Sequence, residues 1–227
     1  MKKILAILLA FIMGLSMTAC GGDDEGITGE ISNKETETKE TKEEEVAAID
    51  AIGEAEGTVY ENNFLGLGFN LPDGWTFYTK EQINEMNNIT QDMLDEDLAA
   101  QLEEANLLYD MYALDQYGNS VTVVLEKTSA IASVAIDEKA YAELSVEQVP
   151  DALKQVGFAD ATAEVGTVDF NGKEHAAIDV VATSDSVTLY EKIVCIKAGQ
   201  YIACITVGTT FENTTDTVLS YFYSLDK

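Results

Sequence analysis

The chain has 227 residues, 41 of them acidic, against 13 lysines and no arginine, and its formal net charge is −28. That balance excludes nucleic acid as a partner, because binding it requires phosphate neutralisation. It also removes the bidentate guanidinium fork that usually grips phosphates and carboxylates.

Lys2 and Lys3 precede an apolar run over residues 4–15. Its twelve residues fit a signal-peptide core of roughly 7–15 and fall short of the about 20 needed to span a bilayer. Met17-Thr18-Ala19-Cys20 resembles the lipobox of bacterial lipoprotein signal peptides. The resemblance implies cleavage before Cys20, diacylglycerol on its sulfur, and a lipid anchor on the extracytoplasmic face of the cell membrane. Residues 1–19 are then the signal peptide. Residues 20–56 are read as the lipidated cysteine and an acidic flexible tether. From residue 21 to 56 there are thirteen Asp or Glu, three Lys and no aromatic residue or proline, a composition too polar to offset its own ordering entropy.

Residues 57–227 are expected to form one domain, long enough for a real core. Short strands are predicted over 58–60, 66–71 and 75–78, with Pro72-Asp73-Gly74 as a turn. Thr79 and Gln82 have capping-box spacing. After them Ile83, Met86, Ile89, Met93, Leu94, Leu98 and Leu102 recur at helical intervals. Strands over 107–114 and 120–127 follow, then a helical region over 137–156 in which Pro150 starts a second piece and Gly157 ends it. Asn171-Gly172 lies between two predicted strands, 163–170 and 173–183, and is a strong hairpin signal. Strands over 187–197 and 201–208 flank Ala198-Gly199-Gln200. Asn213 is read as the cap of a final helix whose buried stripe is Val218, Leu219, Phe222 and Leu225.

The runs 121–125 and 193–196 are nearly continuous in apolar residues, which marks strands covered on both faces. The fold class predicted is therefore α+β, a mainly antiparallel twisted sheet with helices on both faces, an α/β/α sandwich. Leu67-Gly68-Phe69-Asn70-Leu71-Pro72-Asp73-Gly74-Trp75 resembles the start of PsbP-like and Mog1-like domains. The likeness covers about ten residues in motif and the whole 57–227 region in element order. The chain is also similar to Gram-positive lipoproteins that carry such domains. What this implies is a fold and a leaning towards non-catalytic, accessory or binding roles, with Trp75 as a core anchor.

Chemistry is sparse. His175 is the single histidine, and no HExxH or G-x-S-x-G stretch accompanies it. Asp95-Glu96-Asp97 is acidic, but it lacks the spacing of a calcium loop and reads as a solvated helix face. No metal, cofactor or catalytic residue is predicted. Cys195 and Cys204 allow two arrangements. With Gly199-Gln200 as the turn they face each other in a non-hydrogen-bonded pair, close enough for a disulfide. With Ala198-Gly199 as the turn they are diagonal, two buried thiols acting as small apolar residues. Tyr109, Tyr112 and Tyr117 are the candidate partner patch if they face outward. The function expected is non-catalytic binding, as an accessory protein for another envelope protein. The alternative is an extracytoplasmic receptor for a small molecule or cation, recognisable by a half-apolar pocket.

Overall fold

The computed structural model describes residues 47–88, 102–103, 105–128 and 135–225. The signal peptide, Cys20, most of the acidic tether and the 95–97 acidic face lie outside the described residues.

Seven strands form the main sheet: β4 (Trp75–Phe77), β5 (Leu107–Asp115), β6 (Ser120–Lys127), β7 (Asp160–Phe170), β8 (Lys173–Thr183), β9 (Thr188–Ala198) and β10 (Tyr201–Thr210). They run antiparallel in the order β4-β5-β6-β10-β9-β8-β7. The order follows from local chemistry. Asn171 and Gly172 both take positive φ (53° and 76°), as a two-residue type I′ hairpin requires. That turn fixes Phe170 opposite Lys173. Every residue of β10 is buried, as its position in the middle of a sheet covered on both sides demands.

One face carries the predicted helices, α3 (Glu138–Ser145) and α4 (Val149–Gln155). Asp137 caps α3 by accepting from the Ala140 N–H at 2.8 Å, and Pro150 sits in the first turn of α4, where its missing N–H costs nothing. Tyr141, Ala142, Val149 and Leu153 from these helices pack on Val124, Ile178, Ile193, Cys195, Ile202 and Cys204 of the sheet.

The other face departs from the α/β/α expectation. It is covered by a second sheet of four strands, β1 (Glu54–Glu56), β2 (Val59–Asn62), β3 (Leu67–Asn70) and β11 (Phe222–Ser224), in the order β1-β2-β3-β11. Tyr60, Leu67, Phe69 and Phe222 from this sheet pack on Met111, Val121, Val123, Val194, Ile205 and Val207 of the large one. Burying one such side chain fully contributes roughly 1.5–3 kcal/mol. Two short helices, α1 (Ala48–Ala51) and α5 (Thr215–Leu219), complete the layer. The expected terminal helix ends at Leu219, and Phe222 lies in β11, opposite Phe69 of β3. A further short helix, α2 (Lys80–Met86), carries the predicted capping box between Thr79 and Gln82.

The domain boundary moves as well. Residues 48–56, assigned to the tether, belong to the folded unit. Ala48 and Ala51 are fully buried, and β1 pairs with β2 from Glu54↔Glu61 to Glu56↔Val59.

Gly68 shows how closely the small sheet is built. It sits opposite Tyr223, whose ring lies over it and whose hydroxyl donates to Glu61 at 3.1 Å. A Cβ here would fall 2.3 Å from Tyr223 Cζ. Gly68→Ala is therefore expected to displace that ring and to lower stability by about 1–2 kcal/mol, the usual scale of overpacking. Urea denaturation monitored by circular dichroism checks it.

Candidate functional site

The site residues predicted from sequence separate in space. Gly199-Gln200 forms the β9–β10 turn, so Ala198 pairs with Tyr201 and Cys195 lies directly opposite Cys204. This is the closer of the two arrangements. Both thiols are free and buried beneath α3, and Cys204 Sγ lies 3.5 Å from the Tyr141 hydroxyl. The neighbouring thiol, burial and the nearby Glu138 and Glu126 carboxylates all push the Cys195 pKa up. An activated thiolate needs the opposite environment.

His175 Nδ1 sits 3.0 and 3.1 Å from the two Glu138 oxygens. Glu138 Oε1 also accepts from the Lys197 N–H at 2.9 Å. Burial pushes the Glu138 carboxyl up, but the hydrogen bonds from His175 and Lys197 outweigh it and leave its pKa below the ordinary value. This contact pins the first turn of α3 to β8 and β9, and it presents no nucleophile.

The tyrosine patch does not assemble. Tyr112 is buried, with its ring edge-on to Tyr78 at 4.3 Å, and burial raises its pKa to about 12. Tyr109 is half-buried against the helical-side core. Tyr117 alone is exposed, at 67 %. The cause is a bulge in β5. Tyr109 pairs with Val124 and Met111 with Val123, so Asp110 is the extra residue. This shift puts Tyr109 and Tyr112 on the same inward face, where strict alternation would separate them.

Two buried carboxylates were not singled out from sequence. Asp110, pushed by the bulge towards the small sheet, accepts from the Gly53 N–H at 2.7 Å, the Tyr60 hydroxyl at 2.5 Å and Asn62 Nδ2 at 2.7 Å. Burial raises its pKa to about 6, against those three donors. Glu191 of β9 lies on the helical side opposite Gly208. Burial raises it to about 8, and neither of its oxygens has a hydrogen-bond partner among the described residues. Among those residues no group of three or more His, Cys, Asp or Glu is placed to hold a metal ion.

A concavity among the described residues lies at the turn end of the sheets and measures about 550 Å³. One wall is the stretch from Asn70 through the Pro72-Asp73-Gly74 turn to Trp75; the other is α5 with Tyr221, and Asn119 closes one end. The first wall is shaped by Gly74, whose φ of +83° lets Trp75 N–H reach Pro72 O at 3.1 Å. A bond from Asn70 N–H to Tyr221 O at 3.0 Å joins the two walls. Trp75 is half-buried, packed at its base on the sandwich core, and Tyr221 is 39 % exposed.

The floor is rigid. Asp115 Oδ1 accepts from the N–H groups of Tyr117 and Asn119, and its Oδ2 accepts from Asn119 Nδ2. Asn119 Oδ1 in turn accepts from Thr210 N–H at 2.8 Å. The buried Thr209 hydroxyl donates to Glu212 O and accepts from Thr214 N–H. These bonds hold Phe211 in a left-handed conformation, φ 71°, with its ring 66 % exposed. A bulky residue at positive φ is a true outlier and marks a tightly determined loop.

No protein family description matches the chain, and no curated protein matches it. Among solved structures it is similar to LpqN of Mycobacterium tuberculosis, described as involved in cell envelope biogenesis. That match has 11% sequence identity and a TM-score of 0.37, over 70% of this chain and 83% of LpqN. A likeness at that level carries no functional reading.

Proposed function

We propose that this chain is a non-catalytic binding protein of the cell envelope, held at the membrane through Cys20, whose ligand occupies the cleft between Trp75 and Tyr221. The observation that carries this reading is the cleft itself, a half-apolar concavity on a hydrogen-bonded frame. Such sites are the usual form of small-ligand pockets. The resemblance of residues 67–75 to PsbP-like and Mog1-like domains supports a role without catalysis. So does the raised thiol pKa of Cys195.

A second reading, docking of an envelope protein, is favoured by the exposed rings of Tyr117 and Phe211. A photo-crosslinking amino acid tests both. It is placed in living cells at Asp73 in the cleft, at Tyr117, and at exposed Lys139 as a control. The expected result is a small-molecule adduct at position 73. One dominant protein adduct at 117, with none at 73, makes the protein-docking reading the correct one. No enrichment over position 139 at either place overturns both. Lipidation is read separately: Cys20→Ala is expected to move the protein from the membrane fraction to the medium.

A further inference from the structure

We propose that the cleft between Trp75 and Tyr221 is a saccharide-binding site, selective for neutral sugars of about disaccharide size. This deepens the reading of the cleft as the ligand site and rests on it.

The first observation is the charge of the lining. Asp73 is its one ionisable carboxylate, and neither wall supplies a lysine. The chain has no arginine. An anionic ligand would meet a like charge and no compensating cation, in a domain already strongly negative.

The second observation is the kind of polar group on offer. Among the described residues, Asn70, Thr214 and Thr217 line the cleft, and neither the amide of Asn70 nor the two hydroxyls has a protein hydrogen-bond partner. Amides and hydroxyls donate and accept at once, which matches the ambivalent hydroxyls of a sugar. Asn119 is not available in this way, because both ends of its amide are engaged with Asp115 and Thr210. Its role is to set the wall.

The third observation is aromatic. Trp75 is half-buried against the sandwich core, and it and Tyr221 both line the cleft. Two flat rings in a cleft of polar groups suit the C–H faces of a pyranose, which are apolar while its rim is polar. A cationic ligand would also favour these rings. It would, however, leave the amide and both hydroxyls without a matching acceptor-and-donor partner, and it would have one exposed carboxylate to pair with. The volume, about 550 Å³, lies within the range of roughly 300–1,000 Å³ usual for small-ligand sites.

Trp75 is the chain's single tryptophan, so its emission reports the cleft directly. The purified protein is titrated with cellobiose, maltose and N,N′-diacetylchitobiose, with digalacturonate and spermidine as charged comparisons. The expected result is a saturable change in emission with at least one neutral disaccharide at up to about 10 mM, the weak end of specific affinity, and none with digalacturonate. Tyr221→Ala and Thr217→Gln, both at exposed positions, are expected to weaken that binding by about tenfold or more, as removal of an anchor does. Calorimetry repeats the titration on Trp75→Ala, with its melting curve confirming that it is folded.

Saturation by spermidine alone overturns the saccharide class. No response to any of the five probes overturns it too. A small-molecule adduct at position 73 in cells, together with either negative result, leaves the cleft as the binding site and removes only the sugar assignment. Absence of that adduct removes both.

Discussion

Replacing Glu191 with glutamine is expected to leave stability unchanged near about pH 5 and to raise it by a few kcal/mol above about pH 8. Glu191 lies on the helical side of β9 with no hydrogen-bond partner among the described residues, and burial raises its pKa from 4.5 to about 8. Its neighbours in the sheet are Val180 on one side and Gly208 on the other. The next residue, Lys192, pairs instead with Asp179 and Asp216. A folded-state pKa above the unfolded one means that folding favours the protonated acid. The stabilising contribution is complete below about pH 4.5 and is lost as the pH rises through about 8. Glutamine has nearly the same shape, also lacks a partner, and does not ionise. The difference between the two proteins therefore isolates this one group and cancels every other titration. Melting temperatures from about pH 5 to 9 measure it. A difference that stays constant across that range would mean that Glu191 is charged and satisfied in the folded state, contrary to its burial. Glu191→Met, which removes the unpaired polar group altogether, is expected to be more stable than the parent at every pH, because an apolar side chain of similar volume carries no desolvation penalty.

The parts of this fold that were legible in the sequence are those fixed by local chemistry. Asn171-Gly172 forced a hairpin, and a turn at Ala198-Gly199-Gln200 was legible, but its register was open between two arrangements until the structure placed Cys195 opposite Cys204. The nearly continuous apolar runs 121–125 of β6 and 193–196 of β9 gave strands covered on both faces. Strands β2 and β3 were legible as strands over 58–60 and 66–71, but not the second sheet they belong to, because its strands are three or four residues long and β11 joins β3 from near the chain's far end. Val218, Leu219, Phe222 and Leu225 fit a helical stripe equally well. What ends the helix is the pairing of Phe222 with Phe69, some 150 residues away. Residues 54–56 read as tether because Glu54 and Glu56 are acidic and all three residues stay exposed, although their strand partners lie only a few residues on, in β2. The tyrosines were misjudged because one extra residue, Asp110, reverses which face each ring takes. The cleft joins residues 70–75, 119 and 214–221, and no window of sequence contains all three. Of its residues, Pro72-Asp73 was legible as a turn, Val218 as part of a buried stripe and Trp75 as a core anchor; Trp75 packs on the core and also lines the cleft.

The second large effect is expected at Asp110. This carboxylate is the point at which the N-terminal segment is fastened to the large sheet. It receives Gly53 N–H from the segment and Tyr60 and Asn62 from β2, and Asn62 Nδ2 also donates to Ala51 O at 2.8 Å. A second fastening lies outside it, where Glu103 accepts from Ala48 N–H at 3.0 Å and pairs with Lys127. Asp110→Ala would leave the Gly53, Tyr60 and Asn62 donors without this acceptor, and a cost on the order of 3 kcal/mol follows from unsatisfied buried groups.

The loss has a pH signature. Burial raises the Asp110 pKa from 3.8 to about 6, so its contribution is complete below about pH 3.8 and is lost as the pH rises through about 6. The variant is therefore expected to differ more from the parent near about pH 5 than near about pH 7.5. The effect also has an address. Hydrogen exchange is expected to quicken at residues 53–56 and at β2 while the amides of β9 and β10 stay protected, because local opening follows the cooperative unit that was weakened. Gly53→Ala reaches the same place from the other side. Its Cβ would lie 2.5 Å from Glu61 O and 2.8 Å from the Tyr60 ring, so the segment must move and Gly53 N–H must leave Asp110. If both variants quicken exchange at 53–56 by the same pattern, Asp110 is the fastening point. If Asp110→Ala exchanges as the parent does, the segment is held by its other contacts, and the buried carboxylate has no part in joining the N-terminal segment to the domain.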